Sequence, residues 1–245
     1  MTPLSKSANG SYGLPGRELI AVMPLHAITT VYGERGLRAR FELETARLNS
    51  LADREKADKA LHLAGHLHER DERQREPYIN HPLRVALRII CHYAVRDADI
   101  TCAALLHDAV EDHADDLAAN GRPGAFGVLA AEFGARVAGL VEAVTNPVYT
   151  PGRSKDEQYR EHVAASLDAN PEARVIKVSD FTDNGVGVFY ATGPKAVRLA
   201  GKYAPLVPML ADLIARPDTP LSIPAKARIL SQLRVAEERF AALTG

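Results

Sequence analysis

Apolar residues recur at three- and four-residue spacing along most of this chain, and no segment sustains the alternation of a half-buried strand. From Arg54 to Arg70, Ala57, Ala60, Leu61, Ala64 and Leu67 fall on one helical face. A charged loop at 70–76 leads to Pro77. The next helix is opened by Asn80 as a cap and Pro82 in the first turn, and sets Leu83, Leu87, Ile90 and Cys91 on one side. Asp97 or Asp99 caps a third helix through Leu106 to about Asp112. After the Gly-Arg-Pro-Gly break at 121–124, Val128, Phe133, Val137, Leu140 and Val144 continue the helical pattern. A loop at 146–155 follows. Helices are then predicted over roughly 155–169, 171–183 and 194–214, the last bent or broken near Pro205 and Pro208. Ile229, Leu233, Ala236, Phe240 and Leu243 mark a final amphipathic helix. The predicted class is all-α.

Residues 1–16 are small, polar and rich in Gly and Pro, which predicts a disordered or loosely docked arm. Residues 17–50 form an N-terminal extension with a short apolar run, a turn at 33–36 and a charged helical stretch from Leu37 to Leu48. The main domain is expected over 51–214, and a C-terminal helical extension over 215–245.

With 245 residues, 46% hydrophobic and 25% charged, the chain has the make-up of a globular protein able to bury a core. A formal net charge of -1 advertises neither nucleic acid nor a membrane, so any anionic ligand must meet a local basic cluster. The apolar run Leu19–Ile28 contains Pro24 and is too short to span a bilayer. Cys91 and Cys102 sit in apolar surroundings and form no disulfide framework, so a reduced, cytoplasmic protein is expected.

The densest chemistry lies in LLHDAVED at 105–112. On a helix, His107 and Glu111 share one face, and Asp108 and Asp112 share a face one step round. Four ionisable groups crowded beside Ala103, Leu105 and Leu106 repel one another unless a cation organises them. His81, in PYINHP, and Asp180, in VIKVSDFTDN, complete the order His, then His-Asp, then Asp. His62 and His66, four residues apart, have zinc-chelating spacing but no evident third ligand nearby.

PYINHPLRVA, AALLHDAVED, FGARVAGLVEAVT and VIKVSDFTDN, taken in order, resemble the HD-domain phosphohydrolases. Within them, the chain is similar to the small alarmone hydrolases and to the hydrolase half of the Rel/SpoT enzymes, from about Ala57 to about Ile214. The resemblance implies an HD-domain helical bundle carrying an extra N-terminal segment and a C-terminal helix. It implies that His81, His107, Asp108 and Asp180 bind a metal, usually Mn²⁺, although Fe²⁺, Co²⁺ or Zn²⁺ suit the same donors. Glu111 and Asp112 are then the catalytic pair that orients and deprotonates water. Arg70, Lys155 and Asn184 match substrate-binding positions. Tyr78 and Tyr203 are candidates to flank a base or ribose, and Lys195, Arg198 and Lys202, at spacings of three and four, to reach a phosphate.

Two stretches depart from the family pattern. Asp71 stands where a second basic residue is usual. Phe181, Thr182 and Asp183 replace a basic residue, Leu and a His or Tyr. These changes are expected to make the nucleotide's surroundings more negative. The reading that follows is a pyrophosphohydrolase removing the 3′-diphosphate from (p)ppGpp-like alarmones with a guanine or adenine base. An HD phosphohydrolase of another nucleotide or phosphate ester, and a catalytically silent nucleotide-binding regulator, are the alternatives. The expected partner is a small nucleotide, with no nucleic acid and no membrane, and the two terminal extensions offer surfaces for a homodimer. Nothing after Ile214 is long enough for a synthetase domain.

Overall fold

The computed structural model describes residues 16–73, 76–187 and 194–244. The arm expected at 1–16 falls, except for Gly16, outside them. The regular structure of the described residues is helical apart from one two-residue antiparallel pairing, β1 (Glu72–Arg73) with β2 (Glu76–Pro77), which starts inside the predicted charged loop. No described helix is long and apolar enough to cross a membrane.

The helices that frame the centre of the molecule are α3 (Leu51–Leu67), α4 (Asn80–Cys91), α5 (Ala98–Leu106), α8 (Ala135–Val144) and α10 (Pro171–Gly187). Helix α5 packs on α3, α4 and α8, while α10 lies across α4, α5 and α8. Their starts follow local chemistry. The Ser50 side chain accepts from the Asp53 amide to cap α3, and Asp97, not Asp99, accepts from Ile100 to cap α5. Asn80 opens α4 without capping it; its side-chain amide donates to Glu76 Oε2 at 3.1 Å. Asp180 and its neighbour Ser179 are buried in the middle of α10, where Val175, Ile176 and Val178 are fully enclosed.

Two predicted single helices are each split. The third helix ends at Leu106 and resumes as α6 (Ala109–Leu117), with His107 and Asp108 forming the junction. Both junction residues keep near-helical φ/ψ, so the apolar periodicity runs through the break unmarked. The pattern from Val128 to Val144 divides into α7 (Arg122–Phe133) and α8 at Gly134, whose φ of 93° is a conformation glycine adopts at little cost.

The terminal segments belong to the same core. After α1 (Arg17–Val22), helix α2 (Leu25–Thr45) kinks at Gly33 (φ 61°, ψ -150°), within the turn expected at 33–36, and packs along α4 with Leu37 and Phe41 fully buried. Buried Arg40 joins Glu44 Oε1 (2.8 Å) to the Ile20 carbonyl (2.7 Å). Helix α9 (Lys155–Ala169) runs into α10. The helix predicted at 194–214 breaks at Pro205 into α11 (Pro194–Tyr203) and α12 (Leu206–Ala215), and α13 (Ile223–Thr244) packs on both. Arg174 of α10 is wholly enclosed. It donates to the Leu167 carbonyl (2.7 Å), Thr219 Oγ1 (2.8 Å) and Asp218 Oδ1 (2.7 Å), tying the turn before α13 to α9 and α10. Cys91 and Cys102 are both free, and burial pushes both thiols up to about 12, so neither is a nucleophile at neutral pH.

Candidate metal centre

His81 enters from the first turn of α4, His107 and Asp108 from the α5–α6 junction, and Asp180 from the middle of α10. One donor atom from each of His81, His107 and Asp180 lies within 4.8 Å of the others. His81 Nε2 stands 3.3 Å from Asp180 Oδ1 and 3.6 Å from Asp108 Oδ2. His107 Nε2 stands 3.1 Å from Asp108 Oδ2 and 3.8 Å from Asp180 Oδ1. Both rings are almost completely buried.

The imidazoles are fixed from behind. His107 Nδ1 donates to the Ala104 carbonyl at 2.8 Å, which leaves the lone pair on Nε2. That Nε2 is buried and, although 3.1 Å from Asp108, is not aligned to hydrogen-bond with anything. His81 Nδ1 faces Asp183 Oδ2 at 2.8 Å, so its Nε2 likewise faces inward. Donors that crowd a common point this closely, with the His107 Nε2 left without a hydrogen bond, are arranged for a cation, and each histidine is oriented through its other nitrogen. Two imidazoles and two carboxylates therefore fit a divalent transition metal.

The electrostatics agree. Asp180 is held well below the ordinary carboxylate range; its burial opposes this, but Lys177, His81 and His107 outweigh that penalty. Against its own burial, His107 is pushed up to about 9 by Asp108 and Asp180. The centre thus carries excess negative charge that a proton or a metal ion must neutralise.

Asp183 sits elsewhere than its sequence position suggested. It does not add negative charge to a ligand-binding surface. Its side chain is 4% exposed, and its carboxylate accepts from Arg84 Nη2 (2.9 Å) and Arg88 Nη2 (2.9 Å) as well as facing His81. Phe181 is in the core, edge-on to Tyr203 and Phe240, and Thr182 is buried with its hydroxyl on the Val178 carbonyl. The three departures after Asp180 are thus absorbed by packing and ion pairing.

Asn184 donates to Asp180 Oδ1 at 2.5 Å and so lies beside the centre. Glu111 is held by Asn146, whose backbone N–H donates to Oε2 (3.2 Å) and whose Nδ2 donates to Oε1 (2.5 Å). Asp112 reaches solvent; desolvation by its surroundings, with Asp108 and Glu111 adding like charge, pushes it up to about 6. Tyr78, expected beside a base or ribose, instead donates its hydroxyl to Asp108 Oδ2 at 2.7 Å, and its ring stacks on His68. It orients a carboxylate of the centre.

The basic candidates divide. Lys155 lies over the Tyr149 ring (5.7 Å) and Lys202 over Tyr159 (5.2 Å). Arg70, past the end of α3, and Arg198, in α11, are exposed; the Lys195 side chain is outside the described part. Sequence reasoning missed Lys177. It is buried, lies 5.5 Å from the Tyr159 ring centroid and donates to Asp180 Oδ2 at 3.1 Å. A lone lysine inside the apolar run VIKVSD, three residues before the aspartate, was the available signal.

Residues 60–170 match a family model described as HD domain. Just under half of this chain therefore resembles that domain. The chain is 37% identical over 126 residues to the guanosine-3′,5′-bis(diphosphate) 3′-pyrophosphohydrolase MESH1 of Mus musculus, covering 49% of this chain and 63% of that protein. It is 34% identical over 136 residues to the guanosine-3′,5′-bis(diphosphate) 3′-pyrophosphohydrolase of Aquifex aeolicus, covering 54% of this chain and 18% of that protein. The chain thus spans less than two thirds of these relatives. The fold matches that of a solved structure described as a metazoan ortholog of SpoT that hydrolyses ppGpp and plays a role in starvation responses. There the TM-score is 0.56 at 23% identity, over 74% of this chain and 94% of the other. The HD signature's paired His107 and Asp108 occupy the helix junction, and His81 and Asp180 are brought to them by α4 and α10.

Proposed function

We propose that this protein is a metal-dependent HD phosphohydrolase that removes the 3′-diphosphate from (p)ppGpp-like alarmones, with guanine or adenine as the base. The observation that carries this reading is the convergence of His81, His107, Asp108 and Asp180 beside Glu111 and Asp112. Relatives similar over about half of this chain bear the name of that reaction. The metal is taken to be Mn²⁺, held by the two imidazoles and two carboxylates. When bound, it supplies Lewis-acid stabilisation of phosphate charge and makes water more acidic.

The remaining work belongs to this chain's side chains. Asp112, poised near 6, is the group suited to take the proton of the attacking water. Glu111, anchored by Asn146, orients that water. Water adds to the phosphorus attached to the 3′ oxygen, the bond between them breaks, and pyrophosphate leaves while the 3′ oxygen gains a proton. Asn184 and Lys177 fix Asp180, and Tyr78 fixes Asp108, so both carboxylates are held before substrate arrives. Lys155 and Lys202, with Arg70 and Arg198 further out, offer the positive charge that the phosphates require. The free thiols suit a reducing compartment, which we take to be the cytoplasm.

Purified protein incubated with Mn²⁺ and either ppGpp or ppApp is expected to release pyrophosphate, read by anion-exchange chromatography. Metal-loaded protein that releases none from either nucleotide overturns the reading. Turnover of other nucleotides or phosphate esters in its place redirects it to a different HD phosphohydrolase.

A further inference from the structure

His68, just past the last turn of α3, Asp71, at the foot of the β1–β2 hairpin, and His113, in α6, form a second group of converging donors. His68 Nδ1 lies 2.8 Å from Asp71 Oδ2. His113 Nε2 lies 2.7 Å from the same oxygen and 3.2 Å from His68 Nδ1. Three donors, two from the turn after α3 and one from α6, thus form a nearly equilateral triangle. A cation bound at roughly 2.0–2.1 Å from imidazole nitrogen and carboxylate oxygen sets its ligands about 2.9–3.4 Å apart, close to these edges.

Hydrogen bonding alone needs a second proton on His113. The other nitrogen of His113, Nδ1, faces Asp116 Oδ2 at 2.9 Å, so both nitrogens of one ring point at carboxylates. A neutral imidazole has one N–H to give, and giving it to Asp116 turns the Nε2 lone pair onto Asp71. A metal ion between Nε2, Asp71 and His68 would take the place of that second proton, and the Asp116 contact would become the outer carboxylate that orients a metal-bound histidine. The backbone helps: α6 leaves helical geometry at His113 (φ -132°, ψ 30°). Burial also suits the purpose. The His68 side chain is 1% exposed, whereas Asp71 is 33% exposed and gives an ion access from solvent.

We propose that His68, Asp71 and His113 bind a second divalent cation of the Zn²⁺ or Co²⁺ class, with its remaining coordination positions open to solvent. Two nitrogens and one oxygen favour such borderline ions over Mg²⁺ or Ca²⁺. The site is separate from the HD centre but adjacent to it: the Tyr78 ring stacks on His68 at 4.5 Å between centroids, and its hydroxyl reaches Asp108. A cation here would clamp the hairpin foot to α6 and place positive charge next to Tyr78. The proposal does not depend on the substrate reading.

The test is metal stoichiometry of the full chain. Protein stripped with chelator is titrated with Co²⁺, followed by d–d absorption, and metal retained after desalting is measured by mass spectrometry. Wild type should retain two equivalents, while His113→Asn and Asp71→Asn each retain one, with fold checked by circular dichroism. Asp180→Asn should lose the other equivalent, and combining it with His113→Asn should leave none. One equivalent in wild type, unaffected by His113→Asn, overturns the proposal. Because wild-type stoichiometry is itself decisive, a variant that fails to fold does not rescue the idea. Failure of the alarmone assay leaves these counts untouched, so the two readings fail separately.

Discussion

The HD centre and the His68–Asp71–His113 cluster lie on either side of one tyrosine ring and use the same donor types, yet they are supported differently. In the HD centre every proposed ligand comes from a packed helix or helix junction, and each has a partner behind it: Asp183 behind His81, the Ala104 carbonyl behind His107, Tyr78 behind Asp108, Lys177 and Asn184 behind Asp180. In the second cluster, two of three ligands sit on a turn and a short hairpin, and the one outer carboxylate, Asp116, has a side chain 71% exposed. The difference teaches that identical donors can be rigidly preorganised or only loosely so, according to what stands behind them.

Four changes would break or sharpen this contrast. The largest effect is expected at Asp180: Asp180→Ala should lower pyrophosphate release by about 10³-fold or more, because a ligand and the partner of two neighbours go together. Metal content measured on the same sample ties the loss to the centre. Next, Asp112→Asn should reduce kcat by roughly 10²- to 10⁴-fold with little change in KM or in bound metal; a loss of metal with it would move Asp112 from proton acceptor to ligand. Third, Asp183→Asn should weaken Mn²⁺ binding by about 10–100-fold and lower the thermal midpoint, since Arg88 loses its counter-charge and Arg84 keeps only Glu76. Calorimetric titration and melting curves read the two effects. If neither moves, outer partners are not what distinguishes the two clusters.

The smallest effect concerns a histidine outside both. Desolvation, together with Arg88, Arg228 and Arg40, pushes His92 down to about 4, below the value of about 6.5 expected for the unfolded chain. The unfolded chain therefore binds the proton more readily between these values. Stability from this residue is fully present above about 6.5 and is lost as pH falls toward 4. His92→Gln should flatten that part of the curve of thermal midpoint against pH by a few degrees. An unchanged acid limb would assign the sensitivity to the clusters themselves.

What could be read in advance follows the same division. His107, Asp108, Glu111 and Asp112 were legible because their grouping is local and survives a helix break that keeps near-helical dihedrals. The helices carrying His81 and Asp180 were legible from periodicity, and the order of these ligands from a family resemblance. Asp183 was misplaced because its partners, Arg84 and Arg88, meet it only where α4 and α10 pack together. The second cluster was invisible for a related reason. His68 and Asp71 look like part of a charged loop until the hairpin foot turns them toward α6, and His113 looks like one more polar residue in an acidic stretch. His62 and His66, although at chelating spacing, are both exposed, and among the described residues neither joins three converging donors.

The link between α4 and α10 has a further consequence. Ser179 donates to the Val85 carbonyl at 2.8 Å, and Arg88 reaches across to the Ser179 carbonyl at 3.0 Å, one residue before Asp180 and in the helix that bears His81. The spacing of His81 and Asp180 is therefore tied to buried hydrogen bonds between the two helices, so a change at Ser179 or Arg88 is expected to be felt by both side chains together.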